Sequence, residues 1–227
     1  MKKNLFIALM ALILAIPASA QYHGRYPRGY VERGGTGYSS FARSYGMNPV
    51  YFGMRLGVTG ATVSSDDPLL DGGSAQSGLS VGLVTGVQVS PVAPLFLETG
   101  LMYVEKGGKG TYEGSKFTYD LNYIEVPFLV KYGIQTSSPL SIQPFLGCYL
   151  ALGVGGKMKN YANRSAESSF SSEYFKRFDA GLKFGCGVQY NILYGELGYD
   201  LGLTNISHDT FDTAHTGCFY ANIGLNF

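Results

Sequence analysis

Eight charged side chains interrupt faces otherwise built from glycine and small residues: Arg55, Lys131 and Lys183 against Glu98, Glu125, Asp179, Glu196 and Asp200. Both signs of charge on one enclosed face could relay protons or ions. The same set could instead pair internally as a packed core, because buried charge must find a partner. A hydrolase would need a nucleophile, a base and an acid converging from different elements. The three histidines are His23, His208 and His215. Ser207, His208 and Asp209 are neighbours in sequence, so their side chains diverge. His215 could be combined with Ser207 or Thr216 and a loop acid, but no spacing requires it. No glycine-rich phosphate loop opens a helix, and no set of residues has metal-ligand spacing. Cys148, Cys186 and Cys218 read as small wall residues on three strands. No catalytic residue, cofactor or metal ligand is therefore assigned.

What must position the charges is a set of extended segments. The last residues show the pattern most plainly: Phe219, Ala221, Ile223, Leu225 and Phe227 alternate with Tyr220, Asn222, Gly224 and Asn226. A period of two is a strand with one apolar and one polar face. An unpaired strand of this kind templates aggregation, and closure onto a first strand removes the edge. Seven further segments alternate in the same way, over residues 50–63, 78–90, 95–105, 119–133, 142–156, 174–190 and 193–203. The expected fold is all-β, an eight-stranded antiparallel up-and-down transmembrane β-barrel over residues 50–227. Its apolar faces should meet lipid and its polar faces the lumen. A soluble barrel would need the opposite assignment. The polar faces are too rich in glycine and too poor in charge for a water-facing surface.

The connections carry separate information. Residues 64–77, 106–118, 157–173 and 204–213 read as long polar loops, and the other connections are short. Long loops at one rim and tight turns at the other are expected of an outer-membrane barrel. Phe52, Tyr132, Tyr190 and Phe227 are outward by parity and fall at the turn-side strand ends, where they should form a periplasmic aromatic girdle. If Asn191-Ile192 is a two-residue turn, counting back places Lys183 opposite Asp200, a pair that would pin the register. Tyr112, Phe117, Tyr161, Phe170 and Phe211 fall in the loops, where they could bind a partner or pack against each other.

Lys2 and Lys3, an apolar run and Ala18-Ser19-Ala20 read as a signal peptide over residues 1–20. Two of the 17 basic residues lie in this leader, which leaves 15 against 16 acidic ones and gives no footprint for nucleic acid. Residues 21–49 are rich in Gly, Tyr and Arg, lack periodicity, and read as a flexible periplasmic tail able to meet an envelope partner. The 32 glycines and the 32 Tyr and Phe residues, with no Trp, suit a narrow lumen and aromatic girdles.

The segment Leu121-Asn122-Tyr123-Ile124-Glu125-Val126-Pro127-Phe128-Leu129-Val130-Lys131-Tyr132 resembles a typical strand of the PorT-like family of outer-membrane β-barrel proteins. Pro144 to Gly153 and Gly53-Met54-Arg55-Leu56-Gly57 are similar to other strands of that family. The resemblance spans residues 50–227. It implies an integral outer-membrane protein of a Gram-negative bacterium, in contact with outer-membrane lipid. The barrel is expected to be monomeric. Its founding member is linked to type IX protein secretion, but the shared motif is structural. Glu125, Pro127 and Lys131 map onto inward strand positions with no catalytic role. The expected function is non-enzymatic: external loops for binding or an envelope-structural role. The alternatives are an accessory of type IX-like secretion and a lipid A-modifying enzyme.

Overall fold

The computed structural model describes residues 49–66, 71–90, 93–112, 114–137, 140–160, 165–170, 175–207 and 213–227. The leader, all but the last residue of the tail, His23, His208, Asp209, Tyr161 and Phe211 lie outside them. Eleven strands are present: β1 (Val50–Ser65), β2 (Gly72–Gln88), β3 (Leu95–Tyr112), β4 (Ser115–Tyr132), β5 (Ile134–Ser137), β6 (Leu140–Gly155), β7 (Lys157–Asn160), β8 (Ser165–Ser168), β9 (Phe178–Tyr190), β10 (Leu193–Gly202) and β11 (Ala214–Asn226). Eight of them are staves. Each of β1, β2, β3, β4, β6, β9, β10 and β11 pairs antiparallel with the next, and β11 pairs with β1 to close the barrel. β5 extends the β4–β6 hairpin, and β7 and β8 form a small hairpin beside β4 at the opposite rim.

Parity sets the two faces. Leu56, Val58, Leu79, Leu83, Leu146, Leu197, Phe219 and Ile223 are each more than half exposed on the outer wall. The inward positions of the same strands are buried. The outer wall is thus a predominantly apolar surface, the reverse of a water-soluble barrel.

The interior is narrow, and glycine makes it fillable. Tyr51 lies directly across from Gly86, and Tyr220 across from Gly198. In each pair the ring occupies the space that a Cβ on the glycine would claim. One strand contributes an aromatic plate, and its neighbour contributes no side chain beneath it.

Several segment boundaries differ from the sequence reading: β2 begins at Gly72, inside the loop expected over residues 64–77, and β7 and β8 lie inside the loop expected over residues 157–173. The connection expected over residues 106–118 is strand: β3 and β4 stay paired from Leu95↔Tyr132 to Tyr112↔Ser115. Gly114, between the two strands, sits at a φ of 77°. The run Glu105 to Gly110 has the composition of a loop, but its backbone is carried on by ladder hydrogen bonds to β4. The sixth stave begins at Phe178 rather than at residue 174. The Asn191-Ile192 turn holds Asn191 at a φ of 53°, a backbone region in which asparagine is tolerated.

Candidate functional site

The buried charges form two layers in the lumen. In the layer nearer Val50 and Phe227, the Arg55 guanidinium lies 3.3 Å from Glu98 and the Lys131 ammonium 2.8 Å from the same carboxylate. Lys131 also stands 3.7 Å from Glu196 and donates to the Tyr194 hydroxyl at 2.8 Å. Tyr51 donates to Glu98 at 2.6 Å, Arg55 to Asn226 at 2.7 Å, and Asn222 to Glu196 at 2.9 Å. Ser80 donates to Asn222. The Tyr194 ring lies under the Arg55 guanidinium at 4.1 Å. Two cations here face two carboxylates.

The other layer is centred on a residue that the sequence reading put in a loop. Lys106 is buried, 3.3 Å from Glu125 and 3.7 Å from each of Asp179 and Asp200. Its ammonium sits 4.0 Å from the centre of the Tyr149 ring. Lys183 lies opposite Asp200 in the β9–β10 register, 2.6 Å from it, and reaches Glu125 at 3.0 Å. Two cations thus face three carboxylates. The excess falls on Asp179, which receives hydroxyl donors from Tyr149 at 3.1 Å, Thr204 at 2.9 Å and Thr216 at 2.9 Å. Hydroxyl dipoles take the place of a third cation.

All eight charged residues singled out from the sequence therefore line the lumen, and Lys106 joins them. The signal for Lys106 was parity. Inward positions on β3 run through Phe96, Glu98, Gly100, Met102 and Val104, and the next is Lys106. Beyond this layer, Phe117, Tyr119, Leu121, Tyr123, Phe170, Phe175 and Ile206 form a buried apolar cluster at the long-loop end. Two of the aromatics placed in loops, Phe117 and Phe170, are thus spent on packing.

The four girdle residues are exposed on the outer wall at the end opposite this cluster. Phe52 and Phe227 exchange backbone hydrogen bonds there, at 3.1 and 2.7 Å. His215 faces outward at the far rim, opposite Ser64 in the β1–β11 register. Ser207 is buried and bridges Phe175, away from that pair. Among the described residues no group of three or more His, Cys, Asp or Glu is placed to hold a metal ion. The clustered lumen carboxylates are already held by ammonium and hydroxyl groups.

An apolar exterior, a closed antiparallel sheet and an interior of paired charge define an outer-membrane β-barrel. The model of the outer membrane protein beta-barrel domain matches residues 37–208, and the chain belongs to that family. The family places it in the outer membrane of a Gram-negative bacterium. Solved structures of similar fold include Ail, the attachment invasion locus protein of Yersinia pestis, at 14% identity, covering 79% of this chain and 100% of that one with a TM-score of 0.43. Neisserial surface protein A is 17% identical, with 78% and 97% covered and a TM-score of 0.46. OprG from Pseudomonas aeruginosa is 13% identical, with 81% and 98% covered and a TM-score of 0.46. No curated protein matches the chain.

Proposed function

We propose that this protein is a non-enzymatic, monomeric barrel that presents its long-loop end outside the cell, with residues 1–20 removed as a signal peptide and residues 21–49 in the periplasm. The observation that carries this reading is the filled lumen. Lys106, Glu125, Lys131, Tyr123, Tyr149 and Asp179 are fully buried in its cross-section, which leaves no path for a solute and supports a role for the outer surface instead. The charge network then serves as structure: it fixes register and holds the staves at one diameter.

A second reading, membership of the PorT-like branch and an accessory role in protein secretion, is favoured by the strand Leu121 to Tyr132. The residues that make that strand distinctive, Glu125 and Lys131, point inward and are occupied. Any secretion partner would therefore have to meet the loops or the tail. Pull-down of the tagged full-length protein from detergent-solubilised envelope tests both readings. A co-purifying secretion complex, with secretion defects on deletion, would favour the second. A partner lost on shortening the β3–β4 hairpin, with secretion intact, would favour the first. A changed lipid A mass on deletion, reversed by wild type but not by His215→Ala, would overturn the non-enzymatic assignment.

A further inference from the structure

One outward patch is not explained by lumen packing or by the apolar wall. β3, β4 and β7 lie side by side at the long-loop rim, flanked by β2 and β8. Lys109 is opposite Thr118, and Thr118 is opposite Lys159. Residues directly opposite share a face, so these three form one row across three strands. Lys116 lies opposite Thr111 in the next row, and Lys157 lies one row below, beside Asp120. Phe117, Tyr119 and Met158 turn into the apolar cluster, so their neighbours Lys116, Lys157 and Lys159 take the opposite face. Lys109, Lys116, Lys157 and Lys159 are all exposed.

Among the described side chains of β3, β4 and β7, the carboxylates on this face are Glu105 and Asp120, and both are engaged toward β2. Glu105 accepts from the Leu79 amide at 3.0 Å and from the Tyr103 hydroxyl at 3.3 Å. Asp120 accepts from Gln76 at 3.0 Å. The four lysines form no ion pair among the described residues.

Height identifies the counter-charge. On these strands the last outward apolar pair is Tyr103 and Ile124. Lys157 is level with residues four further along, and Lys109 is six further along. At about 3.4 Å per residue and a tilt of about 40°, this puts Lys109, Lys157 and Lys159 roughly 10–16 Å above the apolar edge, and Lys116, eight residues along, about 21 Å above it. Their stems can bend back toward it. The headgroup layer is about 5–8 Å deep on each side, so the bent-back stems of Lys109, Lys157 and Lys159 bring their ammonium groups toward its anionic groups.

We propose that Lys109, Lys116, Lys157 and Lys159 form a lateral binding face for the phosphate groups of the outer-leaflet glycolipid that surrounds the barrel. The face is outward rather than upward, which suits a ligand embedded beside the protein. The proposal rests on the long-loop rim being external. A peptide tag inserted after Gly114 and probed with antibody on intact cells tests that orientation separately.

The decisive experiment uses the purified full-length protein in detergent, with bisphosphorylated lipid A or its dephosphorylated form as probe, and native mass spectrometry to count retained lipid. Wild type should retain the bisphosphorylated form roughly tenfold more than the dephosphorylated form. The combined Lys109→Gln, Lys116→Gln, Lys157→Gln and Lys159→Gln variant should lose that preference, and Lys176→Gln should keep it. Millimolar sodium phosphate should not displace the lipid. Equal retention of the two lipids by wild type would overturn the proposal, and that comparison needs no variant to fold. Displacement by free phosphate, or preference for a soluble acidic polysaccharide over lipid A, would also overturn it.

Discussion

Replacing Lys106 with methionine removes the central cation of the inner layer while keeping most of its volume. Its ammonium lies 3.3 to 3.7 Å from three carboxylates. At an effective dielectric constant of 20, each such pair is worth about 4–5 kcal/mol of gross attraction. Desolvation offsets most of that sum, and breaking a buried network by removing one partner leaves a net loss of about 3–5 kcal/mol. The layer goes from two cations against three carboxylates to one against three. Lys106→Met should therefore destabilise the barrel by about 3–5 kcal/mol in reversible urea unfolding from lipid vesicles. Adding Glu125→Gln returns the imbalance to its original single negative charge. The double variant should be less destabilised than the sum of the single changes by at least about 1 kcal/mol. Lys109→Met, three residues along on the exposed face, should stay within about 0.5 kcal/mol of wild type. A loss below about 1 kcal/mol for Lys106→Met, or strict additivity with Glu125→Gln, would refute the reasoning from the network.

Gly198→Val would place side-chain atoms where the Tyr220 ring lies, beneath the Lys183 ammonium, and should cost about 1–3 kcal/mol in the same unfolding assay. Gly60→Val, where a Cβ would meet nothing within 4 Å, should cost far less. Leu83→Arg, on the outer wall at mid-height, should cost about 2–4 kcal/mol in a bilayer. In planar bilayers the wild-type barrel should show no resolved conductance steps. Regular ion currents that track the purified protein would contradict a filled lumen.

Much of the barrel was legible because a period of two is a direct consequence of strand geometry. Phe219 to Phe227 and Tyr119 to Tyr132 could be assigned a lipid side and a lumen side from residue types alone. The opposition of Lys183 and Asp200 followed from counting out of a two-residue turn. Lys106 was missed because Glu105-Lys106-Gly107-Gly108-Lys109-Gly110 has loop composition, and tertiary pairing with β4 overrides that local preference. The tyrosine plates over Gly86 and Gly198 were hidden for a different reason. Which glycine faces which ring depends on inter-strand register, and composition does not encode it. The lysine row of Lys109 and Lys159 has the same origin, since it exists only once three strands are aligned.

The account depends on the Leu and Val faces touching acyl chains. Leu83 is 63% exposed on the outer wall, between Met54 and Leu101 on the neighbouring strands. The chain has no tryptophan, so Leu83→Trp supplies a single fluorophore. In vesicles containing lipids brominated along the acyl chain, its emission should be blue-shifted and strongly quenched, while aqueous iodide leaves it unaffected. Quenching by iodide without quenching by the brominated lipid would contradict the assignment of this face to the membrane.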